Sequence, residues 1–136
     1  PIDGGVGAAS ALKMCFASWT KGTAAQLMTI REVARAEVVD GALLEERAIY
    51  LPDQPGRTDA APGIAAAKAW RFAGEMEEIA ATFRDAGLPG GFYDAAAELY
   101  EQLAEFKDRF DPPVTLDEVV AAIQSRRDQL DESRVR

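Results

Sequence analysis

The chain of 136 residues has the size of one domain, and its hydrophobic residues, 48% of the total, are enough to fill one core. Its net charge of −8 argues against nucleic-acid binding, which needs a basic surface, and no apolar run is long enough to cross a membrane. The chain has no His, which excludes a Ser/His/Asp triad, makes a zinc site unexpected and leaves acid–base chemistry to a Lys or a carboxylate.

The first predicted element is a long helix from about Val6 to Glu37, rich in Ala, Leu and Met. Gly22 interrupts this helix at a cost of about 1 kcal/mol relative to Ala, which indicates close packing of another backbone at that point. The apolar residues that keep helical spacing in its second half are Leu27, Ile30, Ala34 and Val38.

The single cysteine, Cys15, lies in this first helix. One cysteine cannot form an internal disulfide, and its apolar neighbours favour a buried structural thiol over a reactive one. Such cysteine usage fits a reducing compartment, so a cytoplasmic location is expected. A chain that begins with Pro1 rather than Met is expected to be either processed or a domain excised from a longer protein. Excision is favoured, because the glycine motif begins almost at residue 1.

Shorter segments follow the first helix. Ala42 to Tyr50 is predicted to be a short helix that ends at Leu51, because a residue before proline avoids the α region. Pro52 to Ala61 is expected to be a loop, since Pro, Gly and Asp are concentrated there. Pro62 is then expected in the first turn of the next helix, where its missing N–H costs nothing.

Two helices with regular apolar seams are predicted next, from about Gly63 to Ala86 and from about Phe92 to Phe110. The short connection from Gly87 to Gly91 stops the first of them and implies an antiparallel hairpin. The predicted seams are Phe72, Met76, Ile79, Phe83 and Ala86 in the first helix, and Phe92, Ala96, Leu99, Leu103, Phe106 and Phe110 in the second.

A capping box, Thr115-Leu116-Asp117-Glu118, predicts the start of the last helix. The charged tail after Asp131 is expected to be frayed. One apolar face of this helix is formed by Leu116, Val120, Ile123 and Leu130.

No segment favours a strand, so residues 1–136 are predicted to form a single all-α domain. Its long first helix is expected to pack on the antiparallel helical hairpin. Long apolar helices in a domain of this size often bury a face against a second subunit, so a homodimer is favoured over a self-contained monomeric bundle.

Lys13 is the candidate for chemistry in the first helix. Ala17, Thr20 and Ala24 lie four, seven and eleven residues further on, so each of these side chains projects within about 40° of that of Lys13. Thr20 is expected to hydrogen-bond a group that Lys13 also reaches, and the small alanines leave room for a ligand. A partly desolvated Lys has a lowered pKa and can act as a general acid or base. The alternative is a Lys that reaches solvent along its own stem.

Three glycines, Gly4, Gly5 and Gly7, precede this helix and expose backbone N–H groups where an anion would be stabilised. Their spacing is neither that of a P-loop nor that of a dinucleotide-binding fingerprint. Glu75 in the third helix is a further candidate, although a surface ion pair with Arg71, four residues earlier, is the favoured alternative.

The glycines, Lys13 and the Ala-rich helix after them resemble the third motif of the β-hydroxyacid dehydrogenases, which include relatives of 3-hydroxyisobutyrate and 6-phosphogluconate dehydrogenase. The chain is most similar to a subgroup whose C-terminal domain was described only as a domain of unknown function. The resemblance covers roughly Gly4 to Ala104. The phrases that carry it are Ser10-Ala11-Leu12-Lys13-Met14-Cys15, Trp19-Thr20-Lys21-Gly22-Thr23 and Gly74-Glu75-Met76-Glu77-Glu78-Ile79-Ala80.

In that family the motif opens an all-α C-terminal domain of the 6-phosphogluconate dehydrogenase type, and its Lys is the catalytic acid/base, which corresponds here to Lys13. Gly4 and Gly7 match the glycines before that Lys, whereas Ala9 stands where the broader family prefers Gly. Ala17 stands where the family has an Asn that binds substrate. The usual substrate is therefore in doubt.

A second departure lies at Gly74-Glu75-Met76, where many relatives have Lys-Asp-Leu. The family's second Lys, near the cofactor, is therefore missing. By resemblance, Thr20 becomes a candidate substrate contact beside the glycines, and Glu75 becomes a candidate cofactor contact.

The resemblance implies hydride transfer between a hydroxy-acid-like substrate and NAD or NADP, with Lys13 exchanging the hydroxyl proton and stabilising the developing alkoxide. The cofactor would be held mainly by an N-terminal Rossmann domain expected upstream, and this domain alone is expected to be inactive. The alternative is a non-catalytic helical dimerisation or interaction domain that retains the fold. The missing Asn and Lys motivate this alternative, and a Gly-x-Gly-x-x-Gly unit upstream would argue against it.

Overall fold

The computed structural model describes residues 4–53 and 55–136, with the side chains of residues 55–61 excepted. Across these residues the regular structure is helical and no strand forms, which confirms the all-α prediction. None of the helices within the described ranges has an apolar stretch that would cross a membrane. In chain order the helices are α1 (Ala8–Ala17), α2 (Thr23–Ala36), α3 (Asp40–Tyr50), α4 (Pro55–Asp85), α5 (Gly91–Gln102) and α6 (Leu116–Val135).

A π-helical turn, Ser18–Gly22, joins α1 directly to α2, so the predicted long first helix is one continuous helical segment. Its second half supplies the core with Met28, which is fully buried, and with small residues. Of the four residues predicted to face inward, Ala34 is buried but Ile30 and Val38 are exposed. The reason is that α2 packs against an alanine-rich face of α4, and small side chains allow that close approach. The alanines in this contact are Ala24, Ala25, Ala65, Ala66, Ala69 and Ala73.

The predicted antiparallel hairpin is formed by α4 and α5. The rings of Phe72 and Tyr100 meet at 5.4 Å near one end, and those of Phe83 and Tyr93 meet at 4.7 Å near the other. The connection turns at Gly87, whose φ of 77° lies in the left-handed region that glycine adopts without strain. The long first helix lies across this hairpin, because α2 and the π-turn each contact both α4 and α5.

The predicted loop from Pro52 to Ala61 is wrong, because α4 already begins at Pro55. Pro55 therefore takes the position at the helix start that the sequence predicted for Pro62. Pro62 lies inside α4 instead, with its ring fully buried. Gln54, which belongs to the predicted loop, lies outside the described residues.

The predicted helix from Phe92 to Phe110 is also too long, because α5 ends at Gln102 and a 3₁₀ turn (Ala104–Phe106) follows. Leu103 and Phe106 still reach the core, but Phe92 and Phe110 are exposed. The backbone of Asp108 has a left-handed φ of 60°, and its N–H donates to the Ala67 carbonyl at 2.9 Å. This hydrogen bond to α4 takes the place of the one that the Asp108 N–H would make within a longer α5.

The capping box at the start of α6 is present. Thr115 Oγ1 accepts from the Glu118 N–H at 3.2 Å, and Glu118 Oε2 accepts from the Thr115 N–H at 2.9 Å. The Arg109 guanidinium also binds Glu118 and, together with Thr115, lowers the pKa of that carboxyl to about 2. Contrary to the predicted fraying, α6 continues to Val135, and Leu130 is exposed because the second half of the helix extends past the core.

Two buried charges on α2 hold the neighbouring helices. Arg31 donates from Nε to Asp40 Oδ1 at 2.5 Å, which holds the pKa of the Asp40 carboxyl below its usual value. Glu32 accepts from Arg127 at 3.1 Å. The start of α3 and the middle of α6 are therefore attached to α2 by charge-assisted hydrogen bonds.

Replacing Val38 by Gly is expected to stabilise the protein by about 1 kcal/mol. Val38 follows the end of α2 with a φ of 60°, a region that a β-branched residue adopts only with strain, and it is 91% exposed. The Val39 N–H donates to the Ala34 carbonyl at 2.8 Å, so the turn belongs to the type that usually has glycine at this position. Chemical denaturation measures the change, and Val33→Gly, within the helix, is the control that should destabilise instead.

Candidate functional site

The helix that carries Lys13 lies at the edge of the core. No side chain of α1 is fully buried, and α1 contacts the core through the half-buried Met14 and Ala17. Cys15 is exposed, so the predicted buried thiol is wrong. The physical reason is that the buried core begins at the π-turn, whereas α1 precedes this turn and most of its apolar side chains lie outside the core.

The glycines before α1 lie at the surface. Gly7 is the N-cap residue, with a φ of 96°, and a side chain at this position would be strained. The Ala11 N–H donates to the Gly7 carbonyl at 2.9 Å, which starts the helix. Gly4, Gly5 and Gly7 therefore form an exposed entrance two turns before Lys13.

Lys13 and Thr20 are both exposed. In this chain Lys13 is therefore not the partly desolvated lysine that the catalytic interpretation expected, and it reaches solvent as the alternative predicted. The rest of that face is divided, because Ala17 is half-buried and Ala24 lies in the core. A π-helical turn contains more residues than an α-helical turn, so it rotates every side chain after it. The prediction that four side chains share one face is therefore wrong for Ala24.

Polar groups around the π-turn explain why it forms here. Ser18 Oγ donates to the Met14 carbonyl at 2.7 Å, and Thr20 Oγ1 donates to the Phe16 carbonyl at 3.0 Å. Such hydroxyl groups compete with the backbone for carbonyls four residues earlier and distort helices. Gly22 completes the turn, because a Cβ there would lie 3.1 Å from the ring of Tyr93. Close packing at Gly22 is thus confirmed, although the neighbour is a side chain rather than a backbone.

Glu75 does not pair with Arg71 as the sequence favoured. Its carboxylate binds the Lys21 ammonium, which lies 4.5 Å from the centre of the Phe72 ring. The guanidinium of Arg71 instead lies over the rings of Trp70 and Phe72. Glu75 and Lys21 therefore tie α4 to the π-turn.

The hydroxyl of Tyr100 holds the same turn from α5 by donating to the Lys21 carbonyl at 2.5 Å. Burial raises the pKa of Tyr100, so this hydroxyl remains a donor throughout the ordinary pH range. Sequence reasoning identified neither Lys21 nor Tyr100, because their partners lie 54 and 79 residues away. Contacts from both α4 and α5 therefore hold the π-turn of the segment that carries the candidate residues.

The aromatic groove is a cleft of about 830 Å³ between the first helical segment and α5. None of the predicted site residues lines it. The side chains that form its rim and floor include Cys15, Trp19, Thr29, Phe83, Phe92 and Leu99. Lys13 and the groove therefore belong to different faces of α1.

The structure does not gather all the predicted site residues. Lys13 and Thr20 share an exposed surface, whereas Glu75 is engaged on α4 by Lys21. Within residues 4–53 and 55–136, Lys13 has no ion pair or hydrogen bond with another side chain. The described side chains also contain no group of three metal-binding residues. The arrangement offers the ammonium group of Lys13 about two helical turns before the Thr20 hydroxyl, which donates to the Phe16 carbonyl.

A family model described as a domain of unknown function, DUF1932, matches residues 34–103. The match covers just over half of the chain, from the end of α2 through α5, and it does not include Lys13. Comparison with curated proteins and with solved structures gave no significant match. The chain belongs to the DUF1932 family of domains of unknown function.

Proposed function

We propose that the chain is the C-terminal, substrate-side domain of an NAD(P)-dependent oxidoreductase that acts on a hydroxy-acid-like substrate. The observation that carries the proposal is Lys13, an exposed ammonium on a helix that follows the glycine motif. Membership in the DUF1932 family, a family of domains of unknown function, supports it. The sequence resembles a subgroup of β-hydroxyacid dehydrogenases whose C-terminal domain was described in the same way.

The surroundings of Lys13 suit proton exchange with a bound substrate. Within the described residues Lys13 forms no ion pair, so no carboxylate there neutralises the ammonium. Lys13 Nζ would take the hydroxyl proton as hydride leaves the carbinol carbon, and would return it in the reverse direction. Its positive charge would stabilise the developing alkoxide. The backbone N–H groups near Gly4, Gly5 and Gly7 would orient the substrate carboxylate. Thr20 lies roughly 20 Å from Gly7 along the helix axis, so as a substrate contact it would bind a different group.

A nicotinamide cofactor would supply the hydride acceptor or donor. The described residues form no strand, so this chain offers no Rossmann unit of its own, and most of the cofactor would bind to another domain of the same protein. Glu75 is retained as the proposed cofactor contact of this chain. The ion pair with Lys21 neutralises its charge, which removes repulsion of an anionic dinucleotide.

Several properties follow from this proposal. The protein would be cytoplasmic, because an exposed lone thiol such as Cys15 stays reduced there, and it would act as a homodimer on a small-molecule substrate. The second candidate is a non-catalytic dimerisation domain. Ala17 and Gly74 favour it, since they stand where the resembled family has an Asn and a Lys.

The test uses the natural polypeptide that contains this chain. It is expected to reduce NAD or NADP with at least one member of a panel of hydroxy acids, whereas the 136-residue chain alone is not. Nicotinamide absorbance measures turnover, and quenching of intrinsic fluorescence measures binding of NADH and of NADPH without a substrate. A polypeptide that binds neither dinucleotide and turns over no acid contradicts the enzyme and leaves the dimerisation domain.

A further inference from the structure

An uncovered apolar stripe runs along α1. Leu12, Phe16 and Trp19 lie at positions i, i+4 and i+7, which share one face of a helix. Their exposed fractions are 55%, 66% and 75%. A short helix with so little burial is marginal by itself in water, so α1 gains stability when this face is covered.

The stripe adjoins the aromatic groove, so an exposed apolar helix face lies next to an apolar cleft. Trp19 belongs to both, and the opposite rim carries Phe92, which is 80% exposed. An apolar helix that enters a groove through side chains at i, i+4 and i+7 is a common recognition mode. The same molecule therefore presents both a helix ridge and a groove that fits one, which is the self-complementarity that a two-fold dimer needs.

Charge favours a second copy of this chain as the occupant. Each copy has a net charge of −8, so two copies repel over most of their surfaces. The segment from Gly4 to Arg31 has no Asp or Glu, although the chain contains 23 of them, and the groove has no charged lining residue. This face is where two acidic copies meet with the least repulsion.

The exposed apolar area of this face is also large enough for a dimer interface. From their exposed fractions, the rings of Phe16, Trp19 and Phe92 leave on the order of 450 Å² uncovered per copy. Leu12 and Leu88, each more than half exposed, add to this surface. A specific interface needs roughly 600 Å² or more per partner, so these five side chains supply most of a dimer interface.

We infer that the stripe of α1 and the aromatic groove form the surface through which two copies of this chain associate, with α1 of each copy seated in the groove of the other. The lysine face of α1 stays open for the proposed substrate. The inference does not require Lys13 to be catalytic, so loss of the proposed activity and loss of this dimer are separate outcomes.

The single cysteine provides a direct probe. Cys15 lines the groove one turn before Trp19, so the inferred dimer places the thiols of both copies at the interface. The unmodified chain should have the mass of a dimer by sedimentation at micromolar concentration. A short bismaleimide should then convert it into a covalent dimer on a denaturing gel. A monomeric mass overturns the inference, and so does a dimer that is not cross-linked.

Trp19→Glu is expected to weaken the dimer at least roughly 30-fold, as the loss of a central aromatic anchor does, and to abolish cross-linking. Leu130→Glu is the matched control, because it adds the same charge at an exposed position of α6 and should leave both results unchanged. Equal weakening by both variants shows charge repulsion alone and contradicts the inferred surface. Circular dichroism checks the fold, and cross-linking of the unmodified chain decides the question if Trp19→Glu does not fold.

Discussion

Replacing Lys13 by Ala is expected to lower kcat/KM of the intact protein for the proposed oxidation of a hydroxy acid roughly 100- to 10,000-fold, the usual contribution of a positioned acid or base. Under the proposed mechanism the variant loses both the proton carrier and the charge that stabilises the alkoxide. Because Lys13 is exposed and has no ion pair or hydrogen bond among the described side chains, its removal should leave the unfolding free energy nearly unchanged. Steady-state kinetics and thermal unfolding of the same samples measure the two quantities.

Two further variants separate the roles of Lys13. Lys13→Arg retains the charge but cannot release its proton near neutral pH, so KM should change little while kcat stays low. Lys107→Ala is the matched control, because Lys107 is also an exposed Lys but lies 4.3 Å from the Trp70 ring, away from α1. Full activity of Lys13→Ala on a validated substrate would show that the catalytic assignment is wrong.

Replacing Gly90 by Ala is expected to destabilise the protein by about 2 to 3 kcal/mol, which lowers Tm by roughly 10 °C. A Cβ at Gly90 would lie 2.7 Å from the Ala80 carbonyl oxygen and 3.0 Å from Arg84 Cζ. The carbonyl belongs to the backbone of α4 and cannot move without disturbing the helix. The start of α5 would have to shift away from α4, which opens the hairpin that forms much of the core.

Gly91→Ala is the matched control for this prediction. It makes the same chemical change one residue later, where a Cβ meets no atom within 4 Å, and Gly91 is the first residue of α5. Ala is a better helix former than Gly, so this variant should be neutral or more stable by up to about 1 kcal/mol. Thermal and urea unfolding compare the pair, and equal stabilities would contradict the tight contact at Gly90.

Local signals in the sequence predicted the ends of helices well where a cap is chemically encoded. Thr115 and Glu118 mark the start of α6, and Gly87 marks the turn of the hairpin. The end of α5 could not be found in this way. Its apolar spacing continues to Phe106, whereas the chain leaves the helix at Leu103 because Asp108 hydrogen-bonds a carbonyl of α4. The spacing of apolar residues indicates which residues are buried, and a residue can be buried in a 3₁₀ turn as well as in an α-helix.

Part of the geometry around the candidate residues was predicted. The glycines form an exposed entrance to the first helix, as their positions in the sequence indicated, whereas Lys13 is exposed rather than partly desolvated. The π-turn was not predicted, and it moves Ala24 into the core. The π-turn is held by Lys21, which binds Glu75 of α4, and by Tyr100, which belongs to α5. These partners are distant in the sequence, so nothing in the local sequence reveals them.

The sequence by itself determined the helical class, the hairpin, the capping box and the position of Lys13 in an acid-free segment. These features depend on residues that are near one another in the chain, through helix propensity, apolar spacing and charge. Only the tertiary structure decided which faces are covered. It placed small alanines rather than branched residues between α2 and α4, left Cys15 and Trp19 exposed beside a groove, and turned Glu75 toward Lys21. Burial is a property of the packed molecule, because each face is covered by residues distant in sequence.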